Sequence, residues 1–147
     1  MAVEQFQATA HLQSGTLVKV RSRDFEFTLD EPRELGGTDT AMNPVEALLG
    51  ALGACQAIVA SAYAKRFNVQ LDKFWVELEG DLDPDGFMDK ADVRCGYTAI
   101  RYTYHIKSQS AQADIDAFIA FIGTKCPVGD SLAQAVNLQL AGVVQDQ

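Results

Sequence analysis

Ala47 to Ala64 is a run of eighteen residues without a charge, and no other feature restricts the fold of this chain as strongly. Asn43 before it is a favourable N-cap, Pro44 suits the first helical position, and Glu46 stands three residues after the cap, as in a capping box. The segment therefore predicts a helix from Pro44 to about Arg66, roughly 35 Å long at 1.5 Å per residue. Its length touches that of a membrane span. Gln56 and Ser61 lie inside it, however, Lys65-Arg66 flank one end only, and the rest of the chain reads as soluble sheet and helix. A helix apolar on all sides is better explained as the buried centre of a globular protein, with no membrane partner expected. Gly50, Ala51, Gly53, Ala54 and Ala57 are too small to fill space, so another backbone is expected close by. Such packing offsets the cost of interior glycines, about 1 kcal/mol each against Ala.

Period-two patterning places strands at residues 4–12, Leu17–Val20 and Phe25–Leu29, an antiparallel meander, followed by a loop over 32–42. After the helix come a strand over Val69–Leu82, turn chemistry at Asp83-Pro84-Asp85-Gly86, and a strand over Tyr97–Ile106. Helical spacing then runs from about Ser110 to Gly123, a shorter helix from Cys126-Pro127 through Ala135, and a last strand over Leu138–Val143. The order implies an α+β fold with a mostly antiparallel sheet, in one domain over residues 1–147.

A net charge of −8 with scattered Lys and Arg argues against a nucleic-acid partner, because phosphate binding needs clustered cations. The first residues show no basic region followed by an apolar one, and three cysteines is an odd, sparse count for a disulfide scaffold. A cytoplasmic protein is expected. His11 and His105 form no metal-ligand spacing with each other or with the cysteines, so neither a metal nor another cofactor is expected.

The chemistry centres on Cys55 and Cys126. Proline is welcome in the first turn of a helix and pushes the residue before it to extended angles, so Cys126 is expected to cap the helix opened by Pro127. Free amides, the positive end of the helix dipole and Lys125 would lower its pKa, partly opposed by the end of the preceding helix. Cys55 lies mid-helix among Leu52, Ala54, Ile58 and Val59, where desolvation alone would raise its pKa and leave it inert. To act as a nucleophile it needs a cation from elsewhere: Arg21, Arg23, Arg33, Arg94 or Arg101. Cys95, in a polar connection, has nothing distinctive around it.

Several segments together resemble the OsmC/Ohr family, the osmotically inducible protein C and organic hydroperoxide resistance proteins. They are Pro32-Arg33-Glu34-Leu35-Gly36-Gly37, Asn43-Pro44 with Cys55 twelve residues after the Asn, Gly96-Tyr97-Thr98-Ala99-Ile100, and Cys126-Pro127-Val128. The resemblance implies the OsmC-like fold, a mostly antiparallel sheet packed with a long central buried helix, in an intertwined homodimer with sites at the subunit interface. It further implies a cysteine-based peroxidase acting on organic hydroperoxides, with Cys55 attacking peroxide and Cys126 resolving the sulfenic acid as a disulfide that an external dithiol reduces. Arg33 and Glu46 would be the activating pair.

The chain departs from the family pattern where peroxidases commonly place Glu directly after Asn-Pro. Here Val45 holds that position, and Glu46 is one place on, about 100° around the helix. The alternative reading is therefore a non-catalytic small-molecule binding or interaction protein on the same scaffold.

Overall fold

The computed structural model describes residues 2–145. Strands β1 (Thr9–Ser14), β2 (Leu17–Ser22) and β3 (Phe25–Leu29) form an antiparallel meander in the order β1-β2-β3. Leu12 faces Val18 and Val20 faces Phe27, with a bulge between Leu12 and Ser14. Gly15 turns the first hairpin at φ 55°, a left-handed angle that costs glycine little. Arg23 turns the second at φ 54° and lays its guanidinium 4.9 Å from the centre of the Phe25 ring. β1 begins at Thr9, so residues 4–8 of the expected first strand lie outside it.

Two compact units are built from the chain: the part up to Ala51 with Glu79–Ile100, and Leu52–Leu78 with the part from Arg101 onward. In the first, a polar knot follows β3. Asp30 is almost fully buried, and its carboxylate accepts from Thr16 Oγ1 (2.7 Å), Glu31 N–H (2.9 Å), Thr38 N–H (3.0 Å) and Thr40 Oγ1 (3.1 Å). The Thr38 hydroxyl, then Thr16 and the backbone amides, hold its pKa well below the usual carboxylate range. The expected loop over 32–42 contains one 3-10 turn, Arg33–Leu35, and folds tightly enough that a Cβ on Gly37 would overlap the Glu31 carbonyl. In the same unit Tyr97 lays its ring over Gly80 and donates its hydroxyl to Val45 O at 2.9 Å.

Helix α1 spans Pro44–Tyr63, and a 3-10 turn, Ala64–Phe67, ends it at Asn68 with φ 57°. The expected helix to Arg66 is thus regular only to Tyr63. Strands β4 (Lys73–Asp81) and β5 (Ala99–Lys107) pair. Thr98 N–H reaches Asp81 O at 2.8 Å and Asp72 N–H reaches Lys107 O at 3.0 Å, so opposite ends meet and the pair is antiparallel. A single helical turn, α2 (Pro84–Phe87), follows β4, capped by Asp83 accepting from Asp85 N–H at 3.0 Å.

In the second unit the core gathers Val59 and Ala60 from the end of α1, Ala64 from the 3-10 turn after it, Val69, and Phe118 and Ile122 from α3 (Gln112–Thr124). Phe74, Tyr104 and Ile106 pack on it from β4 and β5. The backbone approach expected of the small residues is not found: within this unit a Cβ on Gly53 of α1 would meet the Leu78 side chain, 2.6 Å from its Cδ1, and at Gly50 it would meet nothing within 4 Å.

Two expectations change. α1 is apolar all round, yet in the single chain it buries one face (Leu52, Gly53, Gln56, Val59, Ala60) and leaves Ile58 68 % exposed. The last strand does not form: 138–143 carry no strand, and Leu138 and Leu140 are 89 % and 85 % exposed. Alternating apolar residues make a strand only when an edge is available to pair with, and no strand among the described residues pairs with this segment.

Candidate functional site

Helix α4 (Pro127–Ala133) begins as the sequence requires. Pro127 occupies the first turn, Cys126 is extended at φ −87° and ψ 107°, and its sulfur accepts from Gly129 N–H at 3.2 Å. Asp130 N–H closes the first helical bond onto Cys126 O at 2.9 Å. The expected end at Ala135 is two residues late, because the chain is extended again at Gln134. Cys126 is buried at 2 % exposure, while Cys55 on α1 is half-buried. Both are free thiols, and their helices meet beside them: a Cβ on Gly129 would lie 3.4 Å from Cys126 Sγ and 3.6 Å from Cδ1 of Leu52, one turn before Cys55.

The electrostatics of Cys126 differ from expectation. Burial pushes its pKa up, the neighbouring Cys55 thiol pushes the same way, and the amides of Gly129 and Val128 oppose them without prevailing. The anticipated lowering weighed only the helix end. Desolvation of a thiolate is the larger effect here, and it depends on tertiary packing.

Three further buried side-chain atoms in this unit lack a hydrogen-bond partner: Gln56 Oε1, on the residue after Cys55, the Tyr104 hydroxyl, and His105 Nε2, which lies 3.0 Å from the Glu77 carboxylate. Leaving such a group unsatisfied costs about 1–3 kcal/mol, so each calls for an explanation. The Tyr104 ring is held between Phe74 (centroids 5.4 Å apart) and Tyr102 (5.2 Å). Its pKa is raised, first by burial, then by the neighbouring Tyr102 hydroxyl and by Cys126.

The other expected site residues lie in the first unit. Glu46 realises the capping box: Asn43 N–H donates to Glu46 Oε2 at 2.8 Å, and Glu46 N–H to Asn43 Oδ1 at 2.9 Å. Arg33 is exposed and opens the 3-10 turn Arg33–Leu35. Cys95 is exposed, its thiol 3.5 Å from Gly86 O. Among the described residues no three His, Cys, Asp or Glu side chains converge as a metal site would need.

The arrangement can do two-electron sulfur chemistry: a half-buried thiol, with a second, buried thiol close enough to influence it. Residues 37–141 match the sequence profile described as OsmC-like protein. A hydroperoxide reductase of Mycoplasma genitalium is 25 % identical over 138 residues, 93 % of each chain, and one of Mycoplasma pneumoniae is 25 % identical over 141 residues. Among solved structures, the OsmC like protein from Mycoplasma pneumoniae superposes with a TM-score of 0.77 at 25 % identity, covering 90 % of this chain and 89 % of that one. A putative organic hydroperoxide resistance protein from Vibrio cholerae, with captopril bound in one of its active sites, has the same fold at 20 % identity and a TM-score of 0.65, covering 95 % and 91 %.

Proposed function

The chain belongs to the OsmC-like protein family, and from that premise we propose that it is a thiol peroxidase reducing organic hydroperoxides through Cys55 and Cys126. The observation that carries this reading is the approach of two free thiols far apart in sequence, Cys126 beside Leu52 of α1 and Cys55 one turn further along that helix, close enough for Cys55 to raise the pKa of Cys126. Their unequal exposure assigns the roles. Cys55 is the thiol that peroxide reaches, and buried Cys126 is held in reserve. The Cys55 thiolate attacks the distal peroxide oxygen, the O–O bond breaks, and the alkoxide leaves and takes up a proton to become the alcohol. Cys126 then attacks the Cys55 sulfenic acid, expelling hydroxide that combines with the Cys126 proton as water. An external dithiol returns both sulfurs to thiols.

Arg33 is proposed to favour the Cys55 thiolate, with Glu46 orienting it. The working form is proposed to be a cytoplasmic homodimer, and two features support the second copy. On α1 the exposed residues Ala54, Ile58 and Ala62 sit on the same side as Cys55, an apolar face left open. Leu138, Leu140, Val143 and Val144 are likewise uncovered.

A non-catalytic binding protein is the second reading, favoured by one observation: the Glu46 carboxylate is already engaged by Asn43. Reduced protein given an alkyl hydroperoxide and a dithiol separates the two. Catalysed loss of peroxide that disappears in Cys55→Ser is expected. Equal consumption by the variant, or none by the wild type, would leave only the binding role.

A further inference from the structure

Where α1 runs out, the chain encloses a hollow of about 520 Å³ within the second unit, lined by Ser61, Ala64, Lys65, Asn68, Val69 and Leu71 together with Gln70. We propose that this hollow binds a small carboxylate with a short apolar tail, the carboxylate on Lys65 and the tail on Ala64, Val69 and Leu71. The site stands apart from the thiol chemistry. Neither Cys55 nor Cys126 lines it, and Ser61 is six residues past Cys55, about 9 Å along the helix axis.

Local rules shape the hollow. The 3-10 turn Ala64–Phe67 ends at Asn68, whose left-handed φ of 57° swings the chain back on itself. Asn68 N–H closes onto Lys65 O at 3.2 Å and Val69 N–H onto Ala64 O at 3.0 Å, a Schellman-type ending. Val69 is thereby drawn into the core with Ala64, at 4 % and 5 % exposure. Gln70 N–H is then fixed by Ser110 Oγ at 2.8 Å. The strap from Asn68 to Leu71 is anchored at both ends, so the concavity is formed before any ligand arrives, as small-molecule sites usually are.

The lining selects the ligand. Ala64, Val69 and Leu71 give it an apolar part. The Ser61 hydroxyl, the Lys65 ammonium and the Asn68 side-chain amide have no partner among the described residues. Gln70 is spent, its side chain donating to Asp72 at 3.3 Å. Lys65 is the one charged side chain among the described lining residues, in a chain of net charge −8. Its neighbour Arg66 is engaged elsewhere, 6.0 and 5.3 Å from the centres of the Phe67 and Phe121 rings. The carbonyl end of α1 opposes an anion with only about half a unit charge, and the Ala64 and Lys65 carbonyls are already taken by the amides of Val69 and Asn68. A cationic ligand would meet Lys65 directly. A neutral apolar one would cover the ammonium without pairing it. A carboxylate pairs with Lys65 and accepts from Ser61 and Asn68 while its tail covers the apolar part.

Octanoate, octanol and octylammonium added separately to the reduced full chain, followed by amide NMR, test this. Octanoate should give saturable shifts across residues 61–71, and octanol should bind there about tenfold more weakly, the difference of about one charge-assisted hydrogen bond. Lys65→Gln, at an exposed position that the core does not use, should weaken octanoate about tenfold and leave octanol unchanged. Added salt should weaken octanoate alone. No saturable shift, octanol or octylammonium bound as tightly as octanoate, or full octanoate affinity in Lys65→Gln overturns the proposal. Shifts confined to the surroundings of Cys55 overturn it as well. Peroxide consumption is decided by Cys55→Ser and not by these titrations, so either reading can fall without the other.

Discussion

Asp30 and Cys126 are both buried acids, and they are treated in opposite ways. The Asp30 carboxylate is surrounded by three hydroxyls and several amides, so its charged form is the favoured one and nothing is left over. Cys126 has amide donors and a thiol neighbour, yet its charged form is disfavoured. A fully satisfied buried ion fixes a loop. An incompletely satisfied thiol leaves free energy to be recovered when its charge appears, as a reaction step requires.

The sharpest way to break this contrast is to remove one group from each region. Cys55→Ser should lower hydroperoxide turnover by about 10³-fold or more while leaving thermal stability nearly unchanged, since only a half-buried sulfur is exchanged. Asp30→Ala should do the reverse, lowering Tm by on the order of 10 °C in a thermal scan, because several donors lose their acceptor at once. Thiol reactivity of the folded fraction should persist. A stable Asp30→Ala protein would mean that the knot is ornamental.

Stability against pH sharpens the same contrast, because the two groups work at opposite edges. The Asp30 pKa is lowered on folding, so its contribution is present above the usual carboxylate range, near pH 4, and is lost as pH falls through the folded value. The Cys126 pKa is raised, so its contribution is present below the usual thiol range, near pH 8.5, and is lost as pH rises through the folded value. Tm measured from pH 2 to 10 should therefore lose its acid edge in Asp30→Asn and part of its alkaline edge in Cys126→Ala. The smallest effect is expected at Glu46, where loss of one capping-box bond costs about 1 kcal/mol and lowers Tm by a few degrees. A much larger loss of turnover in Glu46→Ala, at unchanged Cys55 and Cys126, would give that carboxylate a second task.

The parts of this molecule that local rules decide were legible in the sequence. The start of α1 is written in Asn43, Pro44 and Glu46, the β1–β3 meander in its alternation, and the capping sulfur of Cys126 in the following proline. What escaped depends on neighbours distant in the chain. The direction of the Cys126 shift follows from how deeply it is buried, which no spacing reveals. The apolar segment over 138–143 reads as a strand, but an edge to pair with is a property of the assembled fold and not of the segment.

The central claim is that Cys55 and Cys126 are one redox unit. Reduced protein treated with one equivalent of an alkyl hydroperoxide, quenched and measured by intact mass and peptide mapping, tests it directly. The account predicts loss of two hydrogens and a Cys55–Cys126 cross-linked peptide that a dithiol reverses. Oxygen accumulating on Cys55 while Cys126 stays open to alkylation would contradict it.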